Sequence, residues 1–377
     1  TVESGRGCPW ACRFCSTSAF FARRHRARDV DRLVDELGHL YRAHGVRHVT
    51  FTDDIFTVDK RWARAFCEAM IARGPPLAWG CSTRIDRVDP GLLALMAQAR
   101  CDSVLYGVET GSPRLQQAMG KRLDVAKVAP TVQATRAAGI RAYCTFIFGF
   151  PEETPADLAQ SFDLAWRLLR QGVHVTAQTL CVLPDTPYFN EHFSKLRFDG
   201  FSSLSRAALS PDEAAVVQAH PALFSSFFYL ESAAAPRRLL VAAMHLSNLL
   251  RQFPHTCARL AERDPFERLR AWDAAGRLPG VHADFDPVGV ALLGECVAEG
   301  TSPALQAAFA LEAAALQARK RLLAPAAEVG VRWRPGVFLH ASPLDLPALL
   351  AGQPPAPRPG HWLVGLEGDL GLQVQAL

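Results

Sequence analysis

The amino-acid sequence predicts an α/β fold: a partial (β/α)6 barrel over the first half of the chain, followed by a mainly helical C-terminal domain. Three observations carry this prediction. Between residues 30 and 183, short β-branched and aromatic runs alternate with segments whose apolar residues recur at spacings of three and four, the alternation that builds parallel sheets through right-handed crossovers. The distinctive polar clusters sit where those runs end, the edge at which such folds bind ligands. Beyond Pro187 the composition shifts to Ala, Leu and Arg, and only the helical period remains.

The elements follow in order. Thr1 to Ser4 is an extended lead into a cysteine-rich loop. Over residues 29–43, Val30, Leu33, Val34, Leu37, Leu40 and Tyr41 trace one apolar helix face. Residues 46–52 read as a strand that leaves Asp53 and Asp54 at its C-terminal end. Residues 59–73 form a helix with Asp59 as N-cap and Gly74-Pro75-Pro76 as its stop. Residues 77–82 are a strand ending at Thr83-Arg84, 90–99 a helix, and 103–108 a strand ending in Glu109. Residues 124–138 are a helix that Pro130 must start late or kink. A strand at 141–148, a helix at 154–169 and a strand at 173–183 bring the alternation to six strands and five helices. The same elements also suit an open doubly wound sheet; a cysteine loop directly after the first strand favours the barrel.

Residues 200–335 read as helical, most clearly at 236–251 and 302–323. Pro354-Pro355-Ala356-Pro357-Arg358-Pro359 is a stiff extended connector, and residues 361–366 are strand-like. These breaks divide the chain into a core barrel at 1–195, a helical domain at 196–335, and a Pro-rich linker with a strand-like tail at 336–377. The chain starts at Thr1, without a methionine and almost inside a motif, so an upstream segment is expected. The last strand lacks an obvious closure, which points the same way at the C-terminus.

A 377-residue chain that is 49% hydrophobic and carries a net charge of +4 has the balance of a soluble globular protein. It lacks the basic excess of a dedicated nucleic-acid binder, and the run Arg23, Arg24, Arg26, Arg28 reads as a solvated face or a substrate contact. No apolar run reaches the ~18–20 residues of a membrane span. Seven cysteines (Cys67, Cys81, Cys101, Cys144, Cys181, Cys257 and Cys296) are scattered through apolar segments, as expected of free thiols in a reducing cytoplasm.

The remaining three, Cys8, Cys12 and Cys15, form a C-x3-C-x2-C array. Thiolates suit iron-sulfur clusters, zinc or Cu(I). Structural zinc normally takes a fourth protein ligand, whereas three cysteines leave one iron of a four-iron cluster open; spacing alone leaves zinc as the alternative. Asp53 and Asp54 offer acceptors for an ammonium group, or else cap the following helix. Arg84 offers a fork for a carboxylate, or else a surface charge. The segment from Gly107 to Ser112 has glycines that permit close approach of backbone to a ligand.

This array, with Phe14 just before its last cysteine, resembles the signature of the radical SAM superfamily, and the barrel resembles that family's TIM-like core. The resemblance implies that Cys8, Cys12 and Cys15 bind a [4Fe-4S] cluster whose fourth iron holds the amino and carboxylate groups of S-adenosylmethionine. It implies further cofactor contacts at successive strand ends. Asp53 and Asp54 stand where the family binds the methionine amino group, without its usual Gly-Gly-Glu. Arg84 faces the methionine carboxylate, and Glu109 and Ser112 the ribose and methionyl group. Gly149 and Pro151 match the second half of the Gly-x-Ile-x-Gly-x-Pro segment near the adenine, with Thr145 or Phe146 in place of the earlier glycine. Leu183 opens an ending similar to Leu-x-Pro-x-Pro-Gly-Thr, with Asp185 and Thr186 where Pro-Gly is usual. No residue stands out as catalytic.

What the resemblance implies is an enzyme that cleaves S-adenosylmethionine reductively to a 5′-deoxyadenosyl radical, fed by an external electron donor of flavodoxin or ferredoxin type. The wording of the motifs looks most like the members with an N-terminal cobalamin-binding domain, methyltransferases of natural-product and peptide maturation among them. Cobalamin is then a further expected cofactor, although no such domain lies in this chain, and the substrate a small molecule or peptide. Two other readings remain: an RNA-modifying radical SAM enzyme, which would add a small basic β-barrel rather than Ala/Leu-rich helices, and a non-enzymatic metal module held by the cysteines.

Overall fold

The computed structural model describes residues 1–377 apart from 206–208, 261–262, 301, 324–336, 345, 352, 354–356, 368–370 and 377. They gather into two compact units. The first is Thr1–Leu168 with Val173–Met244 and Gly280–His282; the second is Leu169–Gly172 with His245–Pro279 and Ala283–Leu377.

The first unit opens with a small antiparallel hairpin, β1 (Gly5–Arg6) against β2 (Arg26–Ala27), which encloses the short helix α1 (Thr17–Phe20). Strands and helices then alternate: α2 (Val30–His44), β3 (His48–Thr50), α3 (Lys60–Arg73), β4 (Ala78–Thr83), α4 (Pro90–Gln98) and β5 (Cys101–Glu109). They continue with α5 (Pro113–Ala118), α6 (Val128–Ala137), β6 (Arg141–Phe148), α7 (Pro155–Arg170) and β7 (His174–Thr179). The five strands β3 to β7 lie in sequence order and pair in parallel throughout, a curled half-barrel. The helix starts follow local rules: Asp29, Asp59 and Asp89 each accept a hydrogen bond from a first-turn amide, at 3.0, 2.9 and 2.9 Å. A 3-10 turn at Val125–Lys127 precedes α6, so Pro130 falls in its first turn, where a missing amide leaves no bond unmade.

The first of the six expected strands is reduced to one parallel bridge, Val2 to Phe51. Val2 N donates to the Thr50 carbonyl and Thr52 N to the Val2 carbonyl, both at 3.0 Å. The ladder stops there because Ser4 and Gly7 give their amides to aspartates instead, as described below. Under β3 and β4 lies an aromatic core of Phe51, Phe56, Phe66 and Trp79, all fully buried, with ring centroids 5.0–5.6 Å apart. Trp79 Nε1 meets the Ala99 carbonyl at 2.7 Å, so the largest core ring leaves no polar atom unpaired.

After β7 come α8 (Pro187–His192), β8 (Arg197–Phe198), α9 (Pro211–Ala219), β9 (Phe228–Tyr229) and α10 (Arg237–Leu250). β8 pairs antiparallel with β9, and Ser210 and Glu213 form a reciprocal capping box at α9. The second unit contains α11 (Pro254–Arg259), α12 (Pro265–Ala274), α13 (Asp286–Ala298) and α14 (Pro303–Leu323), then β10 (Val337–Leu344), α15 (Leu346–Leu350), β11 (Pro357–Glu367) and β12 (Gly371–Ala376). The three strands form an antiparallel sheet in sequence order, so the strand-like tail has partners that local reading did not supply. Of the Pro-rich connector, residues 354–356 lie outside the described residues, and Pro357 already begins β11. Among the described residues no helix is long and apolar enough to cross a membrane.

Candidate metal and cofactor site

The cysteine loop is fixed at both ends. At its entry, Ser4 N donates to Asp53 Oδ1 at 2.7 Å and Ser4 Oγ to Asp53 Oδ2. Gly7 N donates to Asp54 Oδ2 at 3.2 Å and Thr17 Oγ1 to Asp54 Oδ1 at 3.0 Å. Burial pushes the Asp53 carboxyl up, and the hydrogen bonds from Ser4 and Gly5 oppose it. Neither aspartate caps α3, which Asp59 does; both carboxylates tie the loop to the end of β3. Gly7 has φ +85°, and a Cβ there would run into the Arg24 carbonyl oxygen, so the turn into Cys8 requires glycine.

At the loop's exit Arg13 acts as a clamp. Its amide donates to the Met119 carbonyl at 2.9 Å, its Nη1 to the Ala118 carbonyl at 3.0 Å, and its guanidinium pairs with Glu152 and Glu191 while lying 4.6 Å from the Tyr188 ring centre. Tyr188 Oη completes the group with a 2.8 Å bond to Glu152. Gly120, at φ +74°, leaves room for the Ala11 carbonyl, which a Cβ would meet at 2.8 Å. Phe14 packs edge-on against Phe150 at 5.7 Å.

Between these anchors Cys8 and Cys12 are buried and Cys15 half-buried, and all three are free thiols. Burial pushes Cys12 up to about 11 and Cys8 up as well; for Cys12 the positive charges of Lys121 and Arg84 pull the other way. Those cations are themselves buried, Arg84 just past β4 and Lys121 in the loop after α5. Arg84 donates from Nε and Nη2 to the two Asp86 oxygens at 2.9 Å each, and from Nη2 to the Lys121 carbonyl at 3.1 Å. The face of Trp10 lies 4.8 Å from its guanidinium. Lys121 Nζ donates to Glu109 Oε1 at 2.6 Å, and Thr145 Oγ1 to Glu109 Oε2 at 3.1 Å. Glu109 sits at φ +68° at the end of β5. The structure therefore brings Arg84 close to Cys8 and Cys12 and links Glu109 to them through Lys121, and it gives each a protein partner.

The remaining expected residues lie further along the sheet edge. Ser112 caps α5 through Leu115 N at 3.2 Å and donates to Asp157. Arg114, Ser112 and Thr154 all donate to that carboxylate and hold it well below the usual range against its burial. Gly149, at φ +93°, donates its amide to Glu153 Oε2 at 2.7 Å. Burial pushes Glu153 up to about 8, and among the described residues its Oε1 has no partner. Pro151 is half-buried in the turn that follows. The Leu183 carbonyl accepts from Thr186 Oγ1 at 2.7 Å. Sequence reading passed over Lys121, Arg13, Asp157 and Glu153. The signal for Lys121 was indirect: a buried Glu109 needs a cation, and the lysine that follows Gly120 twelve positions on supplies it.

Among the described residues no three His, Cys, Asp or Glu side chains converge as ligands of a single ion. A four-iron cluster takes each thiolate at a different corner. Three free thiols on one clamped loop, beside two buried cations that offset negative charge, are a donor set that fits such a cluster.

Residues 2–165 match the model of the Radical SAM superfamily. Over 167 residues the chain is 31% identical to an uncharacterized methyltransferase of Pyrococcus horikoshii, covering 44% of this chain and 36% of the relative. Over 165 residues it is 34% identical to the anaerobic magnesium-protoporphyrin IX monomethyl ester cyclase of Cereibacter sphaeroides, covering 43% and 27%. The chain thus spans about a third of the length of these curated relatives. Among solved structures it resembles the radical S-adenosylmethionine methyltransferase TsrM of Kitasatospora setae, which has cobalamin and a [4Fe-4S] cluster bound. That match has a TM-score of 0.54 at 17% identity and covers 79% of this chain and 61% of the other, a likeness of fold.

Proposed function

We propose, from the premise that residues 2–165 belong to the radical SAM superfamily, that the chain cleaves S-adenosylmethionine reductively at a [4Fe-4S] cluster on Cys8, Cys12 and Cys15. The resulting 5′-deoxyadenosyl radical serves to modify, in our reading by methylation, a natural-product or peptide substrate. The observation that carries the reading is the cysteine loop: three free thiols, anchored by Asp53 and Asp54 on one side and Arg13 on the other, at the end of a parallel sheet where such folds bind ligands.

When bound, the cluster and S-adenosylmethionine supply the electron transfer and the C5′–S cleavage. The chain's residues hold and orient. Asp53, Asp54 and Arg13 act through the loop, fixing where the thiolates stand. Arg84 and Lys121 place positive charge beside them, and Arg84, held through Nε and Nη2 by Asp86, would present the rest of its guanidinium to the methionine carboxylate. Glu109, its oxygens held by Lys121 and Thr145, and Ser112, steadied by Asp157, would contact the ribose and methionyl group. The backbone at Gly149, Pro151 and Leu183 would flank the adenine, and Phe14 closes the loop against Phe150. Preorganisation of this kind lowers the cost of aligning substrate and cofactor.

Cobalamin is the narrower part of the proposal. Its support is the fold shared with a cobalamin-bound methyltransferase and a relative named as a methyltransferase. Anaerobic reconstitution with iron and sulfide tests the whole: about four irons per chain and 5′-deoxyadenosine on reduction in the presence of S-adenosylmethionine are expected. A single bound zinc and intact S-adenosylmethionine would refute it. Corrinoid retained on gel filtration supports the cobalamin step, and its absence removes that step alone.

A further inference from the structure

The hairpin that carries the cysteines has an outer face that the proposed chemistry leaves unused. Phe20 is 82% exposed and leans edge-on against Phe21 at 4.9 Å. Arg23, Arg24 and Arg26 beside it are exposed, and among the described residues no carboxylate pairs with them. Their neighbours Arg6 and Arg28 are, by contrast, taken by Glu3 and Glu36. Residues 17–28 contain no acid, so three positive charges and one large ring stand together uncompensated. In a free surface such a patch carries mutual repulsion and exposed apolar area, both of which an oppositely charged partner relieves.

The patch is also built firmly and built close. Ala22 and Arg23 adopt left-handed φ values of 51° and 53°, Arg23 N donates to the Ser18 carbonyl at 2.8 Å and Arg24 N to the Phe21 carbonyl at 3.0 Å. The Arg24 carbonyl lies against Gly7, the residue before Cys8, and Arg26 pairs with Arg6 across the hairpin. The backbone beneath the patch thus abuts the residue that precedes Cys8.

We propose that this patch docks an acidic electron-transfer protein of flavodoxin type, whose carboxylates surround its one-electron carrier. The inference rests on the proposed function, which consumes one electron per cleavage. At the interface the donor is oxidised by one electron and the cluster on Cys8, Cys12 and Cys15 is reduced by one; no bond or proton changes hands. A small charged contact of this kind is transient, and its association rate is set by charge complementarity. Arginine with an aromatic ring also suits a polynucleotide. Three arginines within four residues on a chain of net charge +4, however, make a spot rather than the extended basic track that follows a phosphate backbone.

The test uses the full chain, an acidic flavodoxin as probe, and the variant Arg23→Glu/Arg24→Glu/Arg26→Glu, with Phe20→Ser as a milder second change. Flavodoxin binding to the wild type is expected to weaken at least about tenfold when salt rises from about 0.05 to about 0.3 M. The triple variant is expected to bind at least about thirtyfold more weakly at low salt and Phe20→Ser several-fold more weakly. With iron content unchanged, 5′-deoxyadenosine formation driven by reduced flavodoxin is expected to fall in parallel, while that driven by dithionite stays at the wild-type rate. Equal flavodoxin binding by wild type and triple variant overturns the proposal. So does an RNA oligonucleotide that binds more tightly than flavodoxin and is lost with the same variant. If flavodoxin binds through the patch but neither reductant yields 5′-deoxyadenosine, the docking face stands and the proposed function falls.

Discussion

Replacing Lys121 by Met removes the cation that holds Glu109. Both side chains are more than nine-tenths buried and meet at 2.6 Å, so among the described residues the change leaves the buried carboxylate only the Thr145 hydroxyl. Breaking a buried pair from one side costs ~3–5 kcal/mol, whereas removing both charges is far cheaper. The affected backbone lies in β5 and β6, so native-state hydrogen exchange of peptides over Cys101–Glu109 and Arg141–Phe148 reads the cost locally. Lys121→Met is expected to lower the opening free energy there by ~3–5 kcal/mol, and Lys121→Met with Glu109→Gln to recover more than half of it. Gly107→Ala is a second probe, because its Cβ would sit 2.7 Å from Lys121 Nζ and must push the pair apart. A cost below ~1 kcal/mol for Lys121→Met, or a double variant no better than the single, would show that the pair is not the coupled centre described here.

Other outcomes follow from the same geometry. Gly7→Ala forces a side chain into the left-handed region, ~1–2 kcal/mol, and into the Arg24 carbonyl. It is expected to cut iron incorporation sharply, while Gly45→Ala, where nothing lies within 4 Å, leaves it unchanged. Glu153 has a folded pKa raised to about 8 by burial, so the native state binds more protons than the unfolded state between about 4.5 and 8, and stability falls as pH rises through that window. Glu153→Gln is expected to flatten that slope in thermal melts; an unchanged slope would locate the proton elsewhere. In the second unit, Glu312 accepts from His255 N, Thr256 N and Thr256 Oγ1 at 2.8, 3.0 and 2.6 Å. Glu312→Ala removes this cap from α11 and is expected to cost ~1–2 kcal/mol, read as faster exchange of the α11 amides.

The half-barrel was legible because its signals are local. Periodicity, with Asp59 as the N-cap of α3, located α2, α3 and α4 to within about two residues, and β-branched runs located β3 to β7. The helix α5 escaped because six residues are too short for a period to show. The first strand shrank to a bridge because the amides of Ser4 and Gly7 bond to carboxylates nearly fifty positions away. The same long reach explains Asp53 and Asp54: from neighbouring residues alone each offered a cap or a ligand, and the partner each found lies in the cysteine loop. Lys121 and Arg13 stayed hidden for that reason too, since a lysine after a glycine and an arginine between cysteines look solvated until the fold brings Glu109, Glu152 and Glu191 to them.

The central claim is that three cysteines on one clamped loop hold a four-iron cluster with one iron left open for S-adenosylmethionine. Electron paramagnetic resonance of the reconstituted, reduced protein, recorded with and without S-adenosylmethionine, tests it most directly. The account predicts a cluster signal whose g-values shift when S-adenosylmethionine is added, and no cluster signal at all when Cys8, Cys12 and Cys15 are all changed to Ala. A signal indifferent to S-adenosylmethionine, or one that survives the triple change, would contradict it.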